Sequence, residues 1–294
     1  MSGPFQRYLL AKRTVDDRAL NRHVYDLLAD HPLLHSLPLR VLEVGCGIGT
    51  MAERVVQWGL FDAADGVRYL GVDSDAASVE VARHRTAHLT SLRPTFAVGD
   101  LHAVVAQQSG ACDLIIAHAV LDLLHLPTAL PLLRAALKPG GLGWFTINFD
   151  GATLLEPQVD AMLDARIEAA YHATMDARTI DGHPSGDSRT GRHLFAALSA
   201  CGLRILAAGA SDWVVHPLAG AAGATYRDDE AFFLRFIIET MGGALAGRTD
   251  LDQQALTEWV ERRLRQVDAA ELTYIAHQLD FLVQRPTEDQ GTTS

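Results

Sequence analysis

Residues 41–50 read VLEVGCGIGT, an apolar strand-length run that ends in three glycines, each two residues from the next. A strand, a glycine-rich turn and a helix together place a ligand at the carboxyl edge of a parallel sheet, because glycine permits the tight turn and the close approach of a ligand to the backbone. The rest of the chain repeats that rhythm. Apolar runs of strand length lie at 39–44, 69–73, 94–98, 112–117 and 142–149, and the segments between them carry helical spacing, as in AASVEVARHRTAHL after Asp75. Continuous apolar strands that alternate with helices predict a parallel sheet covered on both faces. KPGG at 138–141 is expected to break the helix before the fifth strand.

After Asp150 the pattern changes. Residues 155–177 place Val159, Met162, Leu163, Ile167, Ala170 and Tyr171 on one helical face. A polar loop and a helix near 192–200 follow. Two long strand-like runs at 203–217 and 272–284 flank two helical segments, the second of which begins with Asp250 and Gln253 spaced as a capping-box variant. The expected fold is α/β: a Rossmann-like, seven-stranded, mostly parallel sheet with helices on both faces. It forms one domain over 1–286, with a helical arm at 1–38, a ligand-binding half at 39–150, mainly helical insertions at 151–190 and 218–270, and a polar tail at 287–294.

The formal net charge of −11 argues against docking on nucleic acid, which needs a basic face. Cys46, Cys112 and Cys201 are scattered and odd in number, so neither a disulfide framework nor a structural zinc site is expected, and a cytoplasmic setting fits. No secretory signal and no membrane span are expected. The greasiest window, 115–137, is broken by charged residues and two prolines. His84 and His88 have the spacing of a metal pair but lack a third ligand, so a solvated helix face is expected and no metal.

The glycine turn departs from the dinucleotide spacing G-x-G-x-x-G, since Thr50 stands where the third glycine would fall. No Gly-Lys-Ser/Thr follows, which excludes a phosphate-binding Walker loop. With Glu43 ahead of it, the turn resembles motif I of the class I S-adenosylmethionine-dependent methyltransferases. CDLIIAHAVLDLLHLP at 112–127 resembles motif IV, and LRAALKPGGLGWFTIN at 133–148 resembles the helix and strand beyond it. The resemblance implies S-adenosylmethionine as cofactor and S-adenosylhomocysteine as product. It implies a turn built from Gly45, Cys46, Gly47 and Gly49, with Glu43 near the cofactor's ammonium. Asp73, with Ser74 beside it, would hold the ribose hydroxyls; Asp100 and Leu101 would hold the adenine, with His118 at its edge. Lys12 and Arg13, on the arm, would reach the cofactor's carboxylate. Asp73 and Asp100 would otherwise be strand-end caps.

For the acceptor, Asp122 is the candidate to orient or deprotonate it, although a local turn cap would explain it equally. Tyr8 on the arm, Tyr171, His172 and Arg178 on the first insertion, Arg189 and Arg192 in a Gly/Ser/Arg-rich loop, and Trp213 are candidate substrate contacts. The arginines suit a carboxylate or other anion. His277, Asp212 and Asp280 face either the same cavity or the core. The expected activity is methyl transfer to a small molecule, with no nucleic-acid or membrane partner. Two alternatives stay open: a non-methylating transferase that uses the same cofactor, and a non-catalytic cofactor-binding partner with an exposed apolar patch along AFFLRFII at 231–238. That patch would serve a homodimer as readily as a core.

Overall fold

The computed structural model describes residues 3–35, 38–62, 66–180, 182–221 and 223–287. Most of the tail expected at 287–294 therefore lies outside the described residues. Five strands run parallel: β1 (Arg40–Val44), β2 (Arg68–Asp73), β3 (Thr95–Val98), β4 (Cys112–His118) and β5 (Leu137–Glu156). Two two-stranded hairpins stand apart from the sheet: β6 (Thr179–Ile180) with β7 (His183–Pro184), and β10 (Leu218–Gly220) with β11 (Gly223–Thr225). The sheet is completed by β8 (Arg204–Ala210), β9 (Trp213–Val215) and β12 (Thr273–Gln284), the last antiparallel to β5, β8 and β9. The order is β3-β2-β1-β4-β5-β12-β8, with β9 also on β12.

Alternate residues of the central strands feed two separate cores. Val41, Leu114 and Ile116 join one, while Leu42, Val44, Ile115 and Ala117 join the other. Both faces are thus apolar, which is why β1 and β4 read as unbroken hydrophobic runs. The first core packs under an arm of three short helices, α1 (Pro4–Ala11), α2 (Arg13–Ala19) and α3 (Arg22–Ala29), and under α4 (Thr50–Gln57) and α5 (Ala76–Thr86). The second is covered by α6 (Leu101–Ala106), α7 (Leu126–Ala136) and α9 (Thr190–Ala200), whereas α8 (Ala161–Asp176), α10 (Glu230–Leu245) and α11 (Gln253–Asp268) close over the first.

Four details differ from the sequence expectation. The sheet has eight strands, because the run at 203–217 breaks at Ser211 and Asp212, where the Ser211 amide donates to the Gln278 carbonyl. KPGG lies within the fifth strand rather than ahead of it. That strand continues past Asp150 to Glu156, held by β12 through pairs such as Leu155 with Tyr274. The helix expected from 155 begins at Ala161, where the Asp160 carboxylate caps Met162 and Leu163. Helix α11 is capped by Asp252, which accepts from the Gln254 and Ala255 amides, while Asp250 pairs with Arg248. Half of the apolar stretch 231–238 is buried, namely Phe233, Leu234, Ile237 and Ile238, while the partly exposed Phe236 and Phe232 meet the arm, Tyr8 stacking on Phe236 at 4.2 Å and Arg7 lying over Phe232. Its apolarity belongs to the core and the arm contact.

Candidate cofactor-binding site

The carboxyl ends of β1 to β4 open into one cavity of about 750 Å³. Its floor is the glycine turn. Gly45 has φ +70°, and a Cβ there would lie 2.8 Å from Val120 Cγ2, so only glycine fits both the backbone angle and the space. Gly49 has φ +79° and lies against Ala82 of α5, outside the cavity wall. Its part in the motif is to let α4 pack close to α5. Gly49 is the residue before the helix, so Thr50 starts α4 instead of capping it, and Thr50 lines the cavity.

Asp73 ends β2 beside this turn. Its carboxylate accepts from the Gly47 amide at 2.8 Å and from the Asp75 amide at 2.9 Å, one on each oxygen. A carboxylate has about four lone-pair sites. One is therefore left on each oxygen, which suits a pair of vicinal hydroxyls. Asp100 lies two residues beyond β3 as the N-cap of α6, with one oxygen accepting from the Ala103 amide. The cap and the cavity wall are one residue, so the two sequence readings of Asp100 do not exclude each other. Ser74 and Leu101 line the cavity beside these acids.

Glu43 is buried beneath the turn and accepts from the Tyr69 hydroxyl at 2.7 Å. Burial pushes its pKa up to about 8, against the opposing pull of that hydrogen bond. A cation in the cavity would favour the ionised form. Cys46 also lines the wall, and burial raises its thiol far above the usual range, so it acts as a small apolar group.

The arm closes the cavity from above. Phe5, Leu9 and Lys12 line it, and Gln6 donates to Asp75 at 2.9 Å. Asp16 holds the arm down. Its carboxylate accepts from Trp213 Nε1 at 2.9 Å and from His118 Nε2 at 3.0 Å, and Lys12 Nζ lies at 3.4 Å. The Thr146 hydroxyl lies 2.8 Å from His118 Nδ1, so a neutral imidazole that donates through Nε2 satisfies both contacts. Burial lowers the His118 pKa to about 4, consistent with that tautomer. Burial works against ionisation of Asp16, yet Lys12 and then His118 hold it well below the usual carboxylate range. Sequence reasoning missed Asp16, although its i,i+4 spacing from Lys12 was the available signal.

Of the expected cofactor contacts, Glu43, Gly45, Cys46, Gly47, Asp73, Ser74, Asp100, Leu101, His118 and Lys12 share the cavity; Gly49 and Arg13 do not. Arg13 turns away to Glu53 Oε2 at 2.7 Å and to Gln57. The expected substrate contacts all lie outside the wall of this cavity. Arg178 donates to the Ser185 and Asp122 carbonyls, Arg192 pairs with Asp150 at 2.9 Å, and Arg189 is exposed at the start of α9. The anion clamp expected of these three arginines is therefore not formed: two are engaged within the fold and the third faces outward. Trp213 serves Asp16, and His172 lies 3.2 Å from Thr153 Oγ1 with its ring edge to Phe149. His277 contacts Asp212 at 2.7 Å, and Asp280 accepts from the Asn21 and Ile147 amides. His84 pairs with Glu80, and among the described residues no three His, Cys, Asp or Glu side chains are grouped to hold a metal ion.

Asp122 follows the cavity-lining Ala119 and Val120, and Ala119 has φ +52°, a strained angle at the end of β4. One Asp122 oxygen is buried without a hydrogen-bond partner. Burial raises its pKa, against the pull of Arg178 and Lys12.

An open, mostly parallel sheet whose strand ends carry a glycine turn and successive carboxylates around one cavity defines an α/β domain that binds a nucleoside-containing cofactor at its switch point. Residues 41–141 match the family model described as a methyltransferase domain, the same segment that carries the glycine turn and the two acids. A ubiquinone biosynthesis O-methyltransferase of Vibrio parahaemolyticus is 31% identical over 113 residues, which are 37% of this chain and 44% of that protein. Its counterpart in Xanthomonas campestris is 30% identical over 132 residues, 44% of this chain and 51% of that protein. The chain thus spans about half the length of the curated relatives it matches. A structure described as a putative methyltransferase from Bacillus halodurans superposes with a TM-score of 0.49 at 12% identity, covering 88% of this chain and 99% of that one. Likeness at that level carries no argument about chemistry. Among the described residues no helix is long and apolar enough to cross a membrane.

Proposed function

We propose that the protein transfers a methyl group from S-adenosylmethionine to a small-molecule acceptor. The observation that carries this reading is the convergence of Glu43, Asp73 and Asp100, at or just beyond the ends of three adjacent strands, on the cavity floored by the glycine turn. Asp73 would hold the ribose hydroxyls, Asp100 and Leu101 the adenine, Glu43 the ammonium, and Lys12 the carboxylate. When bound, the cofactor supplies an electrophilic methyl group on a sulfonium. The chain's own part is to position an acceptor in line and to exclude water from it. Where the acceptor is a hydroxyl, Asp122 would take its proton.

Both curated relatives are named O-methyltransferases, which favours an oxygen acceptor here. An anionic acceptor has less support, since Arg178, Arg189 and Arg192 do not face the cavity. The scaffold alternative loses its apolar patch to the core and the arm contact. Homodimerisation through 231–238 loses the same surface. The three free cysteines and the net charge of −11 suit a cytoplasmic enzyme without a nucleic-acid partner. Incubation with methyl-labelled cofactor and a pool of small metabolites should give a labelled product of low mass, identified by mass spectrometry. Label found only on protein or nucleic acid would overturn the small-molecule reading.

A further inference from the structure

Two residues of the cavity wall come from neither the sheet edge nor the arm. Ile180 and His183, one from each strand of the β6–β7 hairpin, line the same cavity as the glycine turn and the acids. The hairpin belongs to the first insertion, and both side chains are exposed, Ile180 to 54%. A large apolar side chain at a cavity mouth stays in water until a ligand fills the cavity against it.

The base of the hairpin is fastened to the segment that follows β4. The Arg178 guanidinium donates to the Asp122 carbonyl at 2.9 Å and to the Ser185 carbonyl at 3.2 Å. The Ser185 hydroxyl donates to the Leu123 carbonyl, and the Gly186 amide to the Leu124 carbonyl at 2.8 Å. Gly186 has φ +64°, and a Cβ there would run into the Asp122 carbonyl, so this contact requires glycine. Leu123 and Leu124 themselves line the cavity. The hairpin is thus held against the wall, where the His183 ring stacks on that of His125 with centroids 5.2 Å apart.

The end of the cavity beneath the hairpin differs in character from the end beneath the arm. His125 and Thr128 stand at the start of α7, Leu101 and His102 at the start of α6, and these two helices pack together. Asp100 caps α6 at this end. Among the described residues there, Asp100 alone carries a fixed charge, whereas Glu43 and Lys12 belong to the first strand and the arm. Imidazoles, leucines and an isoleucine around one carboxylate suit a flat, uncharged ring that stacks and donates from an amino group. They do not suit the ammonium and carboxylate of an amino acid.

We infer that Ile180 and His183 are adenine-binding residues, brought over the base end of the cavity by the β6–β7 hairpin. This rests on the methyl-transfer reading of the cavity, and the parent and variant titrations separate the two. Purified protein is titrated calorimetrically with S-adenosylhomocysteine and, separately, with adenosine. Ile180→Asn and His183→Ala should each weaken both ligands by the same factor, about 3- to 10-fold, the scale of burying part of one side chain. His183→Phe keeps a flat ring against His125 and should bind within about twofold of the parent. Both positions are exposed, so the Tm of the ligand-free variants should match the parent's, and circular dichroism checks that they are folded. Unchanged affinity for S-adenosylhomocysteine in the folded Ile180→Asn and His183→Ala variants would overturn the inference. A loss for S-adenosylhomocysteine with none for adenosine would overturn it too, by placing the hairpin at the amino-acid end. If adenosine binds too weakly to measure, the S-adenosylhomocysteine titrations with the His183→Phe rescue decide. A parent that does not bind S-adenosylhomocysteine ends the methyl-transfer reading and this inference together, whereas a parent that binds no better than the variants ends the inference alone.

Discussion

Asp16→Ala is expected to destabilise the protein by about 3–5 kcal/mol, the usual cost of breaking a buried charge pair from one side, and to lower Tm by roughly 10 °C. The substitution leaves Lys12 as an uncompensated buried cation and removes the acceptor for both Trp213 Nε1 and His118 Nε2. It also frees the arm that carries Phe5, Leu9 and Lys12 over the cavity, so affinity for S-adenosylhomocysteine should fall with the stability. The same network sets an acid limit. The His118 pKa is lowered from 6.5 to about 4 in the fold, so the unfolded chain takes up this proton first. Stability is then complete above pH 6.5 and declines as the pH falls toward 4. Asp16, also lowered, loses its contribution only below its ordinary value of 3.8. Thermal melts across pH 7 to 4, together with a melt of the variant at pH 7, check both statements. A variant within 1 kcal/mol of the parent would show that Asp16 does not hold the arm.

Asp122→Asn is expected to lower the rate of methyl transfer by roughly 10²- to 10⁴-fold, the range for loss of a general base. Its affinity for S-adenosylhomocysteine should be unchanged, because Asp122 is not part of the cavity wall that would hold the cofactor. Burial raises the Asp122 pKa, so the parent's rate should climb with pH through the ionisation of this group and then level off. The asparagine variant should lose that limb. A purely structural Asp122 would instead shift Tm and leave the shape of the pH profile intact. A variant within twofold of the parent in rate would remove Asp122 from the chemistry.

The glycine turn, Asp73 and Asp100 were legible because the signal is local: each lies within a few residues of the strand end that positions it. Asp16 was not, since two of its partners, His118 and Trp213, are 102 and 197 residues away in the chain. Arg178, Arg189 and Arg192 looked like an anion clamp from their composition alone. Composition does not say whether a guanidinium faces a cavity, and here one serves backbone carbonyls and another serves Asp150. The late run at 203–217 read as a single strand because apolar residues resume at Trp213 directly after the short polar break at Ser211 and Asp212. That break answers to β12, which is distant in sequence. Asp250 and Asp252 are both plausible helix caps by residue type, and Arg248 decides between them by pairing with the first.

Calorimetric titration with S-adenosylhomocysteine, of the parent protein and of Asp73→Ala, tests the central claim most directly. The parent should bind one equivalent. The variant loses the carboxylate that holds the Gly47 and Asp75 amides and faces the cavity, and should bind at least about 100-fold more weakly, as expected when two charge-assisted hydrogen bonds are lost. No binding by the parent, or equal binding by the variant, would contradict the assignment of this cavity to S-adenosylmethionine.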